Sequence, residues 1–289
     1  MSKTLTFAMC QMTVGSNKAE NLQHAKSMIQ QAVASKAQMV ILPECFNSTY
    51  NTAEFPKNAE MIPSDAKNID PVLSPSIYML KEEAIKNKVF LIGGSIPEKE
   101  IIRDKTYIYN TCPVFDPEGN LLCKHRKIHL FDISIPGKQV FKESDTLTAG
   151  NSITTFNSPW GLIGLGICYD IRFPELSMLM AKKGCKLLCF PSAFNTTTGP
   201  LHWNILARAR AVDNQLFVTM VSPARNMNAD YHAYGHSICV SPWGKILKEA
   251  EVKEDIVLCT IDFEEVNDIR NSIPILKQKR NDLYELKEN

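Results

Sequence analysis

The sequence predicts an α/β protein: two sheets packed face to face, each covered outside by helices, in a four-layer α-β-β-α sandwich with an internal pseudo-duplication. Three observations carry this. Apolar runs of strand length alternate with stretches of helical spacing. The same order of elements occurs twice along the chain. The residues of the two passes also agree: Ile41-Leu42-Pro43-Glu44-Cys45-Phe46-Asn47 parallels Cys189-Phe190-Pro191-Ser192-Ala193-Phe194-Asn195, and Ala84-Ile85-Lys86-Asn87-Lys88-Val89-Phe90 parallels Ala211-Val212-Asp213-Asn214-Gln215-Leu216-Phe217. Each half then supplies one sheet with helices on one side, and the bare faces bury each other.

In the first pass, Leu5 to Cys10 reads as a buried strand, 17–36 as a helix, and Met39 to Leu42 as a strand stopped by Pro43. Ser76 to Asn87 is helical and Val89 to Gly93 extended. Strands at 111–115 and 121–124 flank Asp116-Pro117-Glu118-Gly119-Asn120, which has hairpin turn chemistry. In the second pass the strands are 162–168, 187–190 (stopped by Pro191) and 216–221. The helices are 174–183 and 201–214, and a hairpin turns at Pro242-Trp243-Gly244-Lys245. The expected organisation is one domain over 1–289, with the charged, Gln-containing segment 266–289 as a C-terminal arm.

Composition narrows the function. A chain of 289 residues with 44% hydrophobic and 22% charged residues can bury a sizeable core. A net charge of +1 gives no nucleic-acid footprint, and the run Lys124-His125-Arg126-Lys127 is too short to change that. Nine cysteines, an odd number and mostly inside apolar runs, read as free thiols in a reducing compartment. Without a Cys-x-x-Cys pair, a structural zinc site is not expected. The start, Met1-Ser2-Lys3-Thr4-Leu5, has no signal- or transit-peptide character, and no apolar run approaches the roughly 20 residues of a membrane span. A soluble, cytoplasmic protein is expected, without nucleic-acid or membrane partners.

Three residues stand out chemically. Cys168 ends the glycine-rich apolar run Gly161 to Ile167, and Arg172-Phe173-Pro174-Glu175 then opens a helix. Such a strand-to-helix turn holds a nucleophile exposed and aims backbone N–H groups at it, lowering a thiol's pKa and binding an oxyanion. A cysteine after a strand is also a common small core residue. Glu44 follows a buried strand directly, at the sheet rim where α/β folds bind ligands, and burial would raise it toward a general base. It could equally be a rim carboxylate paired with a cation. Lys127 belongs to a basic run, yet Ile128, Leu130 and Phe131 turn that segment inward, so that its ammonium could stabilise developing negative charge; a solvated turn is the other reading. His129, His202 and His236 have no spacing that favours them over Glu44 as base. Gly93-Gly94-Ser95 is no phosphate-binding loop, lacking the Lys-Ser/Thr that follows one.

Leu42-Pro43-Glu44, His125-Arg126-Lys127-Ile128-His129-Leu130 and Gly166-Ile167-Cys168-Tyr169-Asp170-Ile171-Arg172-Phe173-Pro174-Glu175 resemble, in order and spacing, the three Glu–Lys–Cys signatures of the nitrilase superfamily, from Leu5 to about Tyr284. Within it the chain is most similar to the ω-amidase branch, on segments 44–50, 130–138 and 194–203 together with 211–215 and 222–225. The deaminated-glutathione amidases share the triad but differ around 45–50 and 194–198. One departure is Ser192, where the ω-amidase branch tends to carry glycine. The resemblance implies a nitrilase-type sandwich that needs no metal or organic cofactor and forms homodimers through the helix after Pro174 and the C-terminal arm. It implies hydrolysis of the terminal amide of α-ketoglutaramate and α-ketosuccinamate, to the keto-diacid and ammonia, through a cysteine thioester. Cys168 would be the nucleophile, Glu44 the acid–base group, Lys127 with the Tyr169 N–H the oxyanion partners, and Glu143 the support of Lys127. For the substrate's distal carboxylate, Arg172 is the expected clamp, at the start of the helix after the nucleophile, with Tyr50, Phe194 and Thr198 lining the same pocket. A structural ion pair of Arg172 with Asp170 or Glu175 is the alternative.

Overall fold

A computed structural model describes residues 3–137 and 139–289; Met1 and Ser2 of the N-terminal reading, and Lys138 of the 130–138 segment, lie outside the described residues. The first half runs β1 (Thr4–Gln11), α1 (Lys18–Ala34), β2 (Met39–Ile41), a short α2 (Phe55–Asn58), α3 (Pro75–Asn87), β3 (Phe90–Ile92), β4 (Ile96–Ile102), β5 (Lys105–Phe115) and β6 (Leu121–Arg126). A small hairpin of β7 (Asp132–Ile135) and β8 (Gln139–Lys142) follows. The second half runs β9 (Thr154–Ser158), β10 (Gly161–Leu165), α4 (Pro174–Lys182), β11 (Leu187–Pro191), α5 (Gly199–Asn214), β12 (Phe217–Val221), β13 (Ile238–Val240) and β14 (Ile246–Glu249). Then β15 (Asp255–Asp262) returns to the first sheet and α6 (Glu264–Ser272) follows it.

The duplication is visible in the strand directions. In the first sheet β1, β2 and β3 are parallel neighbours, with β15 antiparallel on one side and β5 on the other. In the second, β10, β11 and β12 are parallel neighbours, with β9 and β13 antiparallel at the flanks. The facing sides share one core: Phe7, Met9 and Ile41 of the first sheet cluster with Ile163, Leu165 and Met220 of the second, and Thr219 meets Met9 across the seam. Alternation along β1 sends Ala8 and Cys10 to the other side, against Ala25, Met28 and Ile29 of α1 and Ile77 and Leu80 of α3. On the far side, α4 and α5 bury Met180, Trp203, Ala207 and Ala211. The four layers are thus helices, sheet, sheet, helices.

Asn17 caps α1 by accepting from Ala19 and Glu20 N–H. Pro75, Pro174 and Pro200 stand at the starts of their helices, where a missing N–H costs nothing. The strand expected to reach Cys168 stops at Leu165 instead, because Cys168 adopts a left-handed φ of 45° and opens a 3-10 turn over Cys168–Arg172. Arg172 therefore closes that turn rather than opening α4. β5 begins six residues earlier than its apolar run, since Lys105 to Asn110 pair with β4. Within 266–289, Val266 and Ile269 of α6 are buried, and residues from Ile273 on form no helix or strand. Among the described residues, no helix is long and apolar enough to cross a membrane.

Candidate active site

The carboxyl ends of the parallel strands of both sheets converge on one buried cluster. Glu44 leaves β2 two residues after Leu42, whose N–H bonds Ile92 at the end of β3. Gly94 makes the close approach possible: its φ is +62°, and a β-carbon there would run into the Pro43 carbonyl. Ser95 then donates its N–H to the Pro43 carbonyl and accepts the Cys45 N–H through its hydroxyl at 3.0 Å, so that Glu44 stands on a fixed turn. Lys127 follows β6, its N–H on Asn110 O and its carbonyl on Gly150 N–H, each at 2.8 Å.

Lys127 Nζ donates to Glu44 Oε1 and to Glu143 Oε1, both at 2.9 Å, and all three side chains are buried. Asn110 Nδ2 also donates to Glu44 Oε1, at 2.8 Å. Glu143 is held by the Tyr50 hydroxyl at 2.5 Å and the Phe131 N–H at 2.6 Å. Cys168 lies close enough to Glu44 and Lys127 for each to act on its titration, and the Ala193 N–H points at its Sγ from 3.5 Å. The predicted residues Glu44, Lys127, Cys168 and Glu143 therefore meet in one place.

The electrostatics follow from burial. Burial pushes Glu44 up; the Lys127 ammonium opposes this and Glu143 adds to it, leaving the carboxyl above its ordinary range. Burial pulls Lys127 down, but Glu143 and Glu44 outweigh it and hold the ammonium well above the usual lysine range. Burial and then Glu44 push the Cys168 thiol well above its usual value, against a smaller pull from Lys127. Two sequence expectations are corrected here. Cys168 is not exposed, at 5% of its surface, and the turn's N–H donors do not make it a low-pKa thiol. At rest Cys168 is a thiol beside the Glu44 carboxyl group, which in its ionised form can take the proton from sulfur.

Of the expected pocket residues, Arg172, Phe194 and Thr198 line a tight cleft with Cys168, Tyr169 and Tyr231. Tyr50 instead borders a larger outer cavity with Glu44 and Tyr231, and its hydroxyl is spent on Glu143. Arg172 lies over the Phe194 ring, 4.8 Å from its centroid, with Nη1 3.0 Å from His202 Nδ1. Among the described residues it has no carboxylate partner, and its buried Nε has no hydrogen-bond partner. Burial lowers its pKa. The expected alternative, a pair with Asp170 or Glu175, does not form.

Asp170 is occupied elsewhere, and the sequence reading missed it. This fully buried carboxylate accepts from the His129 N–H at 2.9 Å and the Ile167 N–H at 2.9 Å. His129 Nδ1 lies 2.8 Å and His125 Nε2 3.1 Å from its oxygens. It ties His125 and His129, two residues to either side of Lys127, to the turn that carries Cys168. Its place two residues after the cysteine was the only signal available. Asn110, inside the β5 run, and Ala193, which acts through its backbone, gave none. Among the described residues, no group of three or more His, Cys, Asp and Glu side chains is arranged to hold a metal.

This fold and this Glu–Lys–Cys cluster define a class. The family model for carbon-nitrogen hydrolases matches residues 6–271, and the chain belongs to that family, within the nitrilase superfamily. Among named relatives it is 51% identical over 281 residues to the Omega-amidase NIT2 of Mus musculus, covering 97% of each chain. It is 49% identical over 277 residues to the Omega-amidase NIT2 of Homo sapiens, covering 96% of this chain and 95% of that one. The crystal structure of Saccharomyces cerevisiae Nit3, a member of branch 10 of the nitrilase superfamily, superposes with a TM-score of 0.86 at 44% identity, over 96% of this chain and 97% of that one.

Proposed function

We infer that the chain is an ω-amidase, a cysteine-dependent amidase that hydrolyses the terminal amide of α-ketoglutaramate and α-ketosuccinamate. The observation that carries the reading is Lys127 held at 2.9 Å from both Glu44 and Glu143 beside the Cys168 thiol, in a chain about half identical over its whole length to named ω-amidases. In the proposed sequence Glu44 takes the thiol proton as sulfur attacks the amide carbon. The ammonium of Lys127 and the Tyr169 N–H then stabilise the oxyanion. Glu44 returns the proton to the departing nitrogen, and then activates water to open the thioester. Glu143 fixes the ammonium, and Arg172, free of any carboxylate of its own, receives the distal carboxylate beside Phe194 and Thr198. Tyr50 acts at this site through Glu143 and as a wall.

We further propose that residues 1–289 act as one catalytic domain in a cytoplasmic homodimer. A deaminated-glutathione amidase is the second reading, on the size of the outer cavity. The test is parallel measurement of ammonia release from α-ketoglutaramate and of α-ketoglutarate release from deaminated glutathione. A preference for the second substrate would overturn the ω-amidase assignment.

A further inference from the structure

Two cavities flank the reacting groups, separated by Ala193 and Tyr231, whose hydroxyl bonds the Ala193 carbonyl. The inner one holds Cys168 and Arg172 and has a free volume of only about 10 Å³. The outer one, of about 370 Å³, reaches Glu44 but not Cys168 or Arg172. The proposed chemistry gives these two sides different tasks. The acyl chain bonded to the carbon under attack extends toward Arg172, whereas the nitrogen that must receive a proton extends toward Glu44. The outer cavity is therefore on the side of the leaving amine. Departing ammonia is about the size of a water, which needs roughly 10–15 Å³ of such free volume, so the outer cavity has room for much more than the leaving nitrogen of a primary amide.

We propose that this outer cavity is a leaving-group subsite, and that the enzyme also hydrolyses N-substituted ω-amides whose amine portion is neutral or cationic. The inference rests on the ω-amidase reading. The lining mixes apolar and polar groups: Val14, Pro223 and Ala224 face Ser48, Asn51 and Asn226, and the buried Ser48 hydroxyl has no hydrogen-bond partner among the described residues. Asp230 and Glu44 are the charged lining residues, and no Lys, Arg or His lines it. Among the described lining residues the inner side carries a cation, Arg172, and the outer side none, the Lys127 ammonium being held behind Glu44 and Tyr50. Charge therefore sorts the two ends: a carboxylate on the acyl chain meets Arg172, whereas a carboxylate on the amine would meet Asp230. The step balances as for the primary amide. The bond from Cys168 sulfur to the acyl carbon forms and the C–N bond breaks. The thiol proton passes through Glu44 to the amine, which leaves as R–NH₂. Water then adds its hydroxyl to the acyl carbon and returns a proton to sulfur.

The test uses the full-length enzyme and four substrates: succinamate and its N-(2-hydroxyethyl), N-(2-aminoethyl) and N-carboxymethyl derivatives, with succinate release as the readout. The hydroxyethyl and aminoethyl amides should have kcat/KM within about tenfold of succinamate, and the carboxymethyl amide at least about tenfold below the aminoethyl one. Asp230→Lys should reverse the order of the aminoethyl and carboxymethyl amides. Normal hydrolysis of succinamate with both neutral and cationic derivatives below about a hundredth of it would make the cavity an entrance only and overturn the subsite. An unchanged order in Asp230→Lys would overturn the charge sorting. Failure on succinamate itself would instead fall on the ω-amidase reading.

Discussion

Cys168 is a small residue in a crowded place, so the cost of replacing it divides cleanly between packing and chemistry. Cys168→Ala should fold with near-normal thermal stability and lose ammonia release; turnover near the unmutated rate would remove it as nucleophile. Lys127→Met removes a charge-stabilising donor, for which about 100- to 1000-fold in kcat is the usual loss, with circular dichroism needed to exclude unfolding around the two stranded carboxylates. Glu44 offers a separate handle through pH. Its carboxyl is raised, first by burial, and it works as a base only when ionised. The acid limb of kcat/KM should therefore lie above the ordinary glutamate value of about 4.3, and a limb at or below that value would point to a different base. Arg172 differs from all three because it touches no reacting atom. Arg172→Lys keeps the charge but loses the planar fork. It should raise KM sharply for α-ketoglutaramate and far less for a simple amide without a distal carboxylate. An equal loss on both, or one that tracks melting temperature, would make the residue structural.

At the scale of elements, the site depends on three turns holding their register. Asp170 connects two of them, the segment of His125 to His129 and the turn after Ile167. Burial pushes its carboxyl up, but the His125 and His129 hydrogen bonds and the Ile167 N–H prevail and hold it well below the carboxylate range. A folded pKa below the unfolded value of about 3.9 means that the ionised form stabilises the fold. That contribution is complete above the unfolded value and is lost as pH falls through the folded one. Asp170→Asn should be less stable at pH 7 by something of the order of 3 kcal/mol, with a shallower loss of stability on acidification below about pH 4, measured by denaturant titration. Its kcat should fall by more than KM changes, since Lys127 and Cys168 lose their common brace; unaltered kcat in the folded variant would leave Asp170 a purely structural residue. The duplicated strands and helices were legible because each buries a strand-length apolar run or a helical stripe. Glu44 and Cys168 were legible because each follows an apolar run at its end, whereas Lys127, in a basic run, stood out only through the segment turning inward after it and through the three motifs taken together. The edge strands β4, β7, β8 and β9 were not, since their exposed faces carry mixed residues. Nor was β15, whose partner β1 lies some 250 residues earlier and leaves no local signature. The thiol's raised pKa was not legible either: it depends on burial and on Glu44, both set by tertiary packing.

For the whole molecule, the unexplained surface is on α5. Its inner side buries Trp203, Ala207 and Ala211, yet Leu201 and Ile205, one turn apart on the outer side, are 69% and 65% exposed. Val212 continues the stripe two turns on, and Trp243, 54% exposed at the β13–β14 turn, stands beside it around a shallow groove. The helix after Pro174, expected with the C-terminal arm as the contact, turns Leu176, Met180 and Ala181 inward, and the tail near Leu286 and Glu288 lies on its Lys182 and Lys183, so that helix and arm form one continuous outer surface. A contiguous apolar face of this kind is the mark of an interface, and a two-fold pairing of α5 with its copy would cover it with self-complementary residues. The chain should therefore have a solution mass near twice 32.5 kDa by light scattering, and the double substitution Leu201→Lys and Ile205→Lys should bring it to a single chain with the fold retained. The same variant connects assembly to catalysis. α5 begins right after Thr198 and carries His202, which holds Arg172, so loosening its outer face should raise KM for α-ketoglutaramate more than it lowers kcat. A wild-type chain that is monomeric at micromolar concentration, or a monomeric variant with unchanged KM, would separate this surface from the site.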